Sequence, residues 1–246
     1  MEEQVTRLVD KAWEKFQQTP QDRRLLIAIG GIPGSGKTTL SQKVATALNA
    51  RHATLHPETP VTEGTASVAA FVPMDGYHLT RAQLAAMPDP VQAFARRGAE
   101  FTFDGPAFLR LVEALRVPLT GASGGAVVRA PSFDHAVKDP RPDDIAILPR
   151  HRIVVFEGNY VCLGREPWRS AAALMDERWF VDVPFDVARR RLVRRHVAAG
   201  IARDADEAAR RADENDLVNG RLIVEERASP IDETIVSRED GSWSHE

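Results

Sequence analysis

The chain has 246 residues, 43% of them hydrophobic and 27% charged, with a formal net charge of −3 at pH 7. That length suits one large domain with a sizeable core, and that composition excludes a chain disordered throughout. The slightly acidic balance argues against nucleic-acid binding as the main activity, the single cysteine, Cys162, excludes an internal disulfide, and no apolar run approaches a membrane span.

At the N-terminus, Val5, Leu8, Val9, Ala12 and Phe16 recur at helical spacing beside Trp13, which predicts a helix within residues 1–20 that packs on the domain. Acidic residues follow Met1 at once and no apolar leader core is present, so a cytoplasmic protein is expected. Leu25 to Gly30 is an aliphatic run and hence a buried strand. The stretch Gly31, Ile32, Pro33, Gly34, Ser35, Gly36, Lys37, Thr38 and Thr39 follows, and a helix is predicted from Lys37 to Asn49. Strand, glycine-rich loop and helix in that order, with Gly31, Gly36, Lys37 and Thr38 in the pattern G-x-x-x-x-G-K-[ST], make a phosphate cradle. Its backbone N–H groups and the helix N-terminus receive phosphate oxygens, Lys37 reaches the β/γ-phosphates, and the Thr38 hydroxyl is placed to ligate Mg²⁺. ATP and Mg²⁺ are therefore the expected cofactors.

The polar stretch from residue 51 to 67 reads as a loop, and Val68 to Met74 as a second strand that runs into Asp75. In open parallel sheets the carboxyl ends of the strands face the ligand, so Asp75 falls on the side of the phosphate loop, where it can serve as the base that orients an alcohol; capping the turn is its alternative role. Helical pieces fill Thr80 to Arg116, the glycine-rich GASGG (121–125) reads as a turn, Ala126 to Arg129 as a short strand, and Lys138 to Asp144 as a polar loop. Ile153 to Phe156 is a third apolar strand, closed by Glu157, which would face Mg²⁺ together with Thr38. Arg178 to Val183 is the next strand, and a helix from Pro184 to Ala199 carries Arg191, Arg194 and Arg195 at i, i+3 and i+4. One of these three is expected to act on the γ-phosphoryl oxygens, the other arginines nearby forming a solvated face. Two more helical stretches, 204–215 and 216–226, precede a last strand near Ile231 to Val236. The histidines are scattered without metal-ligand spacing, so no zinc site is expected. The alternation of strands and helices predicts one α/β domain over residues 1–246, a three-layer fold of the P-loop NTPase type with a mostly parallel doubly wound sheet and a helical lid over 187–215.

The motifs GIPGSGKTT, MDGYHL, FTFDGPAFLRLVEAL, APSFDH, FEGNY and RRRLVRRH together resemble the uridine kinase, phosphoribulokinase and bacterial-type pantothenate kinase group of P-loop small-molecule kinases, over roughly Leu25 to Val224. The resemblance implies Asp75 as base, Glu157 at the metal, and Arg191, Arg194 or Arg195 in a lid over ATP. It also places Tyr77, His78, Arg96, Arg97, Phe133, Asp134, His135 and Arg141 beside the acceptor. Phe133 stands where nucleoside kinases tend to have tyrosine, so the acceptor stays open among a nucleoside, a sugar and a pantothenate-like acid. The expected activity is ATP- and Mg²⁺-dependent phosphorylation of a hydroxyl on a small polar metabolite. The alternatives are a non-GTPase P-loop ATPase, since neither D-x-x-G nor N-K-x-D occurs, and a catalytically idle binding protein of kinase fold.

Overall fold

The sheet grows outward from β1 (Leu25–Gly31), which is buried at every position, as expected for a central parallel strand covered on both faces. It pairs in parallel with β5 (Ile153–Gly158) on one side and β6 (Glu177–Asp182) on the other; β2 (Ala69–Pro73) lies outside β5 and β7 (Glu233–Val236) outside β6. All five strands are parallel. The computed structural model describes residues 1–57, 67–119, 125–238 and 243.

Side chains alternate across β1 and divide the core in two. Leu25, Ile27 and Ile29 pack under α1 (Glu2–Gln18) and α2 (Lys37–Leu55), whereas Leu26 and Ala28 face the opposite layer. That second layer contains α5 (Gly105–Arg116), α6 (Trp168–Ala173), α7 (Phe185–Ala198) and α9 (Leu217–Glu225). The result is the three-layer α/β fold. Helix α1 buries Val5, Leu8, Val9, Ala12 and Trp13, and its polar edge is tied to the sheet by Lys15 to Glu177 at 2.7 Å and Arg7 to Glu233 at 2.6 Å. Between α7 and α9, α8 (Ala205–Arg211) runs through a π-helical turn, Ala212–Asp216, directly into α9. Such turns recur at functional sites because they re-aim side chains within a continuous helix.

Two expectations need correction. The polar stretch Lys138 to Asp144 is mostly strand: β3 (Val128–Asp134) and β4 (Asp139–Ile147) form an antiparallel hairpin apart from the main sheet. Its prolines, Pro131, Pro140 and Pro142, are tolerated because the ribbon is two-stranded and shifts register between Ala130 and Ser132. Helix α2 continues to Leu55, one and a half turns beyond Asn49. The short α6 has no counterpart in the sequence reading. Most of the GASGG turn lies outside the described residues, as does most of the loop expected at 51–67.

Candidate active site

The carboxyl ends of β1, β5 and β2 lie side by side, with Ile29 and Pro73 both opposite Glu157 in register. The phosphate loop leaves β1 there. Gly34 and Gly36 have φ of 81° and 85°, a region open to glycine at little cost. A Cβ on Gly34 would lie 2.8 Å from the Ala188 carbonyl oxygen of α7, and one on Gly36 would lie 2.9 Å from the carbonyl oxygen of Trp243. Gly36 caps α2 without a side-chain bond, so the first-turn N–H groups are left for an anion. Among the described residues the buried Ser35 hydroxyl has no partner, and the Lys37 ammonium reaches only the Ile32 carbonyl, at 3.4 Å. A cradle with spare donors results.

Burial holds the Lys37 pKa below its ordinary value, with Arg195 adding to the effect and Glu157, Asp75 and Asp216 opposing it. Glu157 is buried too, and burial pushes its carboxyl up to about 7; Asp75 adds to the rise, while Lys37, the Thr38 hydroxyl and Arg195 moderate it. Thr38 Oγ1 donates to Glu157 Oε1 at 3.0 Å. A hydroxyl and a carboxylate so joined are hard oxygen donors of the kind Mg²⁺ takes alongside water and phosphate oxygens, so these residues fit that ion. Among the described residues no cluster of three or more His, Cys, Asp or Glu that could hold a metal is present.

Asp75 sits in a 3₁₀ turn, Met74–Tyr77, at the end of β2. Its backbone carbonyl accepts from the His78 N–H at 3.1 Å and lies 2.8 Å from His78 Nδ1. Its half-buried carboxylate makes no hydrogen bond or ion pair among the described residues, and its charge is felt at both Lys37 and Glu157. The hairpin presses on this turn so closely that a Cβ on Gly76 would meet the Pro131 carbonyl oxygen at 2.1 Å. The turn cannot relax away from the loop without moving β3.

The three arginines of α7 that the sequence singles out take different places. Arg191 donates to the Gly34 carbonyl at 3.2 Å, the Ser237 hydroxyl at 2.8 Å and the Arg238 carbonyl at 2.7 Å, so it braces the phosphate loop from outside. Arg195 is exposed, makes no hydrogen bond or ion pair among the described residues, and acts electrostatically on both Lys37 and Glu157. Arg194 is exposed and shows no such coupling to either group. Neighbouring arginines form the solvated face: Arg189 pairs with Asp213 and Arg190 with Asp186, each at 2.7 Å.

Of the acceptor-side residues, His78 lies between Phe103 and Phe133, with ring centroids 4.0 and 4.8 Å away, and His135 stacks edge-on beyond Phe133. The Arg97 guanidinium lies 5.6 Å from the Phe133 ring and pairs with Asp139 at 3.2 Å. Arg96 donates to Asn215 and Asn219. Tyr77 instead packs its ring on Phe108 in the core, while Asp134 caps the hairpin turn through the Ala136 and Val137 N–H groups and pairs with the exposed Arg141 at 3.3 Å. A cavity of about 450 Å³ opens between α5 and the hairpin, lined by Tyr77, His78, Asp104, Arg110 and Arg129 but not by Lys37, Asp75 or Glu157. Gly76, Tyr77 and His78, which directly follow Asp75, form part of its wall.

Several residues here went unassigned in the sequence. Asn159, two positions after Glu157 and just past the end of β5, has a buried amide oxygen with no partner among the described residues. The π-helical turn carries Asp216, which receives buried His196 at 2.8 Å and acts on Lys37. Asn215 and Asn219 are four apart on a helix that is otherwise apolar inward, a spacing that could have flagged them.

A family model described as Phosphoribulokinase / Uridine kinase family matches residues 26–209. The ATP-dependent kinase-like protein notR' of Aspergillus versicolor is 57% identical over 170 residues, covering 69% of this chain and 95% of that protein. The candidate uridine kinase C227.14 of Schizosaccharomyces pombe is 37% identical over 208 residues, covering 85% of this chain and 81% of its own length. Among solved structures, a candidate fructose transport system kinase from Silicibacter sp. TM1040 is 33% identical, with a TM-score of 0.75 over 94% of this chain and 98% of its own. With the phosphate loop, the carboxylates at two strand ends and the arginine helix in place, the family match makes this chain a member of the phosphoribulokinase and uridine kinase family.

Proposed function

We propose that the protein transfers the γ-phosphoryl group of ATP to a hydroxyl of a small polar metabolite, in one kinase domain with residues 187–215 as its lid. The observation that carries this reading is the Asp75 carboxylate, without a protein partner among the described residues, on the same strand-end face as Lys37, Thr38 and Glu157. In this reading the loop N–H groups and Lys37 hold the β- and γ-phosphates, and Asp75 accepts the proton of the acceptor hydroxyl as its oxygen bonds to phosphorus. The bond between that phosphorus and the β,γ-bridging oxygen breaks, and ADP leaves. Arg195 faces the negative charge on the transferring group. Thr38 and Glu157 would hold Mg²⁺, which when bound neutralises charge on the phosphates. One relative is named for uridine and a solved structure for a fructose transport system, so the comparisons support a kinase reaction without naming the substrate.

The test is ADP release, coupled to a spectroscopic readout, with a panel of hydroxylated acceptors. Asp75→Asn keeps the shape of the side chain and removes its basicity, so turnover should fall roughly 10²- to 10⁴-fold while Mg-ATP binds as in the wild type. Wild-type ADP release that no acceptor raises above background would sink the reading and favour an ATPase or an idle binding protein.

A further inference from the structure

We propose that the acceptor carries an oxyanion, a carboxylate or a phosphoryl group, and that Arg96 recognises it; this rests on the kinase reading above and names the class of its acceptor. The guanidinium is fixed by neutral groups: Nε donates to Asn215 Oδ1 at 2.9 Å and Nη2 to Asn219 Oδ1 at 2.8 Å. Both asparagines are buried, with 4% and 3% exposure, so the clamp is preorganised. Amide oxygens orient an arginine but leave its unit of charge in place, and Arg96 has no carboxylate within ion-pair distance among the described residues. Its neighbour Arg97 does, in Asp139; of the acids of the π-helical turn, Asp213 pairs with Arg189 and Asp216 is engaged by His196, and Glu100, which also acts on the Tyr160 phenol, accepts from the Trp168 indole. The Arg96 Nη1 group has no partner among the described residues and is not sealed from solvent. A half-buried cation held in this way is unfavourable for folding alone and suited to binding an anion.

Position connects this charge with the site. Asn219 precedes Gly220, which is backed against Ile32 of the phosphate loop at 3.4 Å from where its Cβ would be. Asn215 precedes Asp216, whose charge reaches Lys37 and the Tyr160 phenol; Arg96 acts on that same phenol. The segment from Arg96 to Gly98 is pinned by Asn215 Nδ2 on the Arg97 carbonyl at 3.1 Å and by the Tyr160 hydroxyl on the Gly98 carbonyl at 2.8 Å. Arg96 is therefore tied on one side to the helix that backs the phosphate loop and, through Gly98, on the other to Tyr160, two residues past the end of β5.

Acceptor-dependent ADP release would be measured with three groups of compounds: hydroxy acids such as glycerate and pantothenate, sugar phosphates such as ribose 5-phosphate, and the neutral set uridine, ribose and fructose. Activity is expected in one of the first two groups, which identifies the anion, and not in the third. Arg96→Gln should raise KM for the accepted compound about 10- to 100-fold and leave KM for ATP within about twofold. Asn219→Asp, which sets a carboxylate on the guanidinium, should raise the acceptor KM about tenfold although it strengthens the contact; a structural arginine would be unaffected or more stable. A neutral acceptor turned over with a KM insensitive to both substitutions overturns this inference and leaves the kinase reading standing. If no compound stimulates release, calorimetric titration of sulfate into protein saturated with Mg-AMP-PNP decides the site alone. Binding weakened about tenfold by Arg96→Gln supports it, and equal binding in both proteins overturns it.

Discussion

The nucleotide half and the acceptor half of this site are built in different ways. The phosphate loop, Thr38 and Glu157 are set by backbone geometry at adjacent ends of parallel strands, with contacts that are local or one strand away. On the acceptor side, Arg96, Arg97, His78 and Phe133 come from a turn, short helices and a hairpin outside the main sheet, and are held by side-chain contacts rather than by strand register, such as Arg96 to Asn215. The first arrangement cannot change without breaking the sheet, whereas the second can be re-specified by exchanging a few side chains. That difference fits a family in which the reaction is shared and the acceptors named for its members vary.

Lys37→Ala should break the nucleotide half outright. In the proposed reading the buried ammonium holds the β/γ-phosphates, so kcat/KM is expected to fall by at least about 10³-fold, and calorimetric Mg-ATP binding should be lost. Retained affinity would mean that the loop does not hold the triphosphate. The lid helix offers a finer cut. Arg195→Ala should lower kcat about 10- to 100-fold with ATP affinity little changed, Arg194→Ala should stay within about twofold, and Arg191→Ala should weaken ATP binding instead because it loosens the loop at Gly34. Identical behaviour of the three in steady-state kinetics would leave the helix a solvated face.

The smallest effect is one of pH. Glu157 titrates near 7 when folded, against an ordinary value of 4.5, so the folded protein binds this proton more tightly than the unfolded chain does. Stability from this group is complete below about pH 4.5 and is lost as pH rises through 7, by up to about 3 kcal/mol. Melting temperatures across that range should decline for the nucleotide-free protein and flatten in Glu157→Gln. Mg-ATP affinity should move the other way, tightening as the carboxylate ionises. A wild-type profile as flat as that of the variant would remove the perturbed titration.

What the sequence disclosed follows the same division. Lys37, Thr38, Asp75 and Glu157 were legible because glycine spacing and apolar runs ending in a carboxylate are local signals, and the fold brings these four together. β4 was illegible because Asp139, Pro140, Arg141, Pro142, Asp143 and Asp144 have the composition of a loop; they form a strand only because β3 supplies a partner. Arg191 could not be told from Arg195 by spacing, since one meets the loop carbonyls and the other the site only once α7 is docked. Asn215 and Asn219 were hidden because the residue they hold lies 119 and 123 positions earlier.

Gly34 also fixes where α7 meets the phosphate loop. The backbone of the loop touches α7 at Ala188 and Leu192 with no room for a methyl group, and Arg191 donates to the Gly34 carbonyl of the same turn. A swing of the whole helix would tear both attachments. In the proposed kinase reading, closure of residues 187–215 would therefore turn on residues 188–192, with the phosphate loop as its fixed bearing.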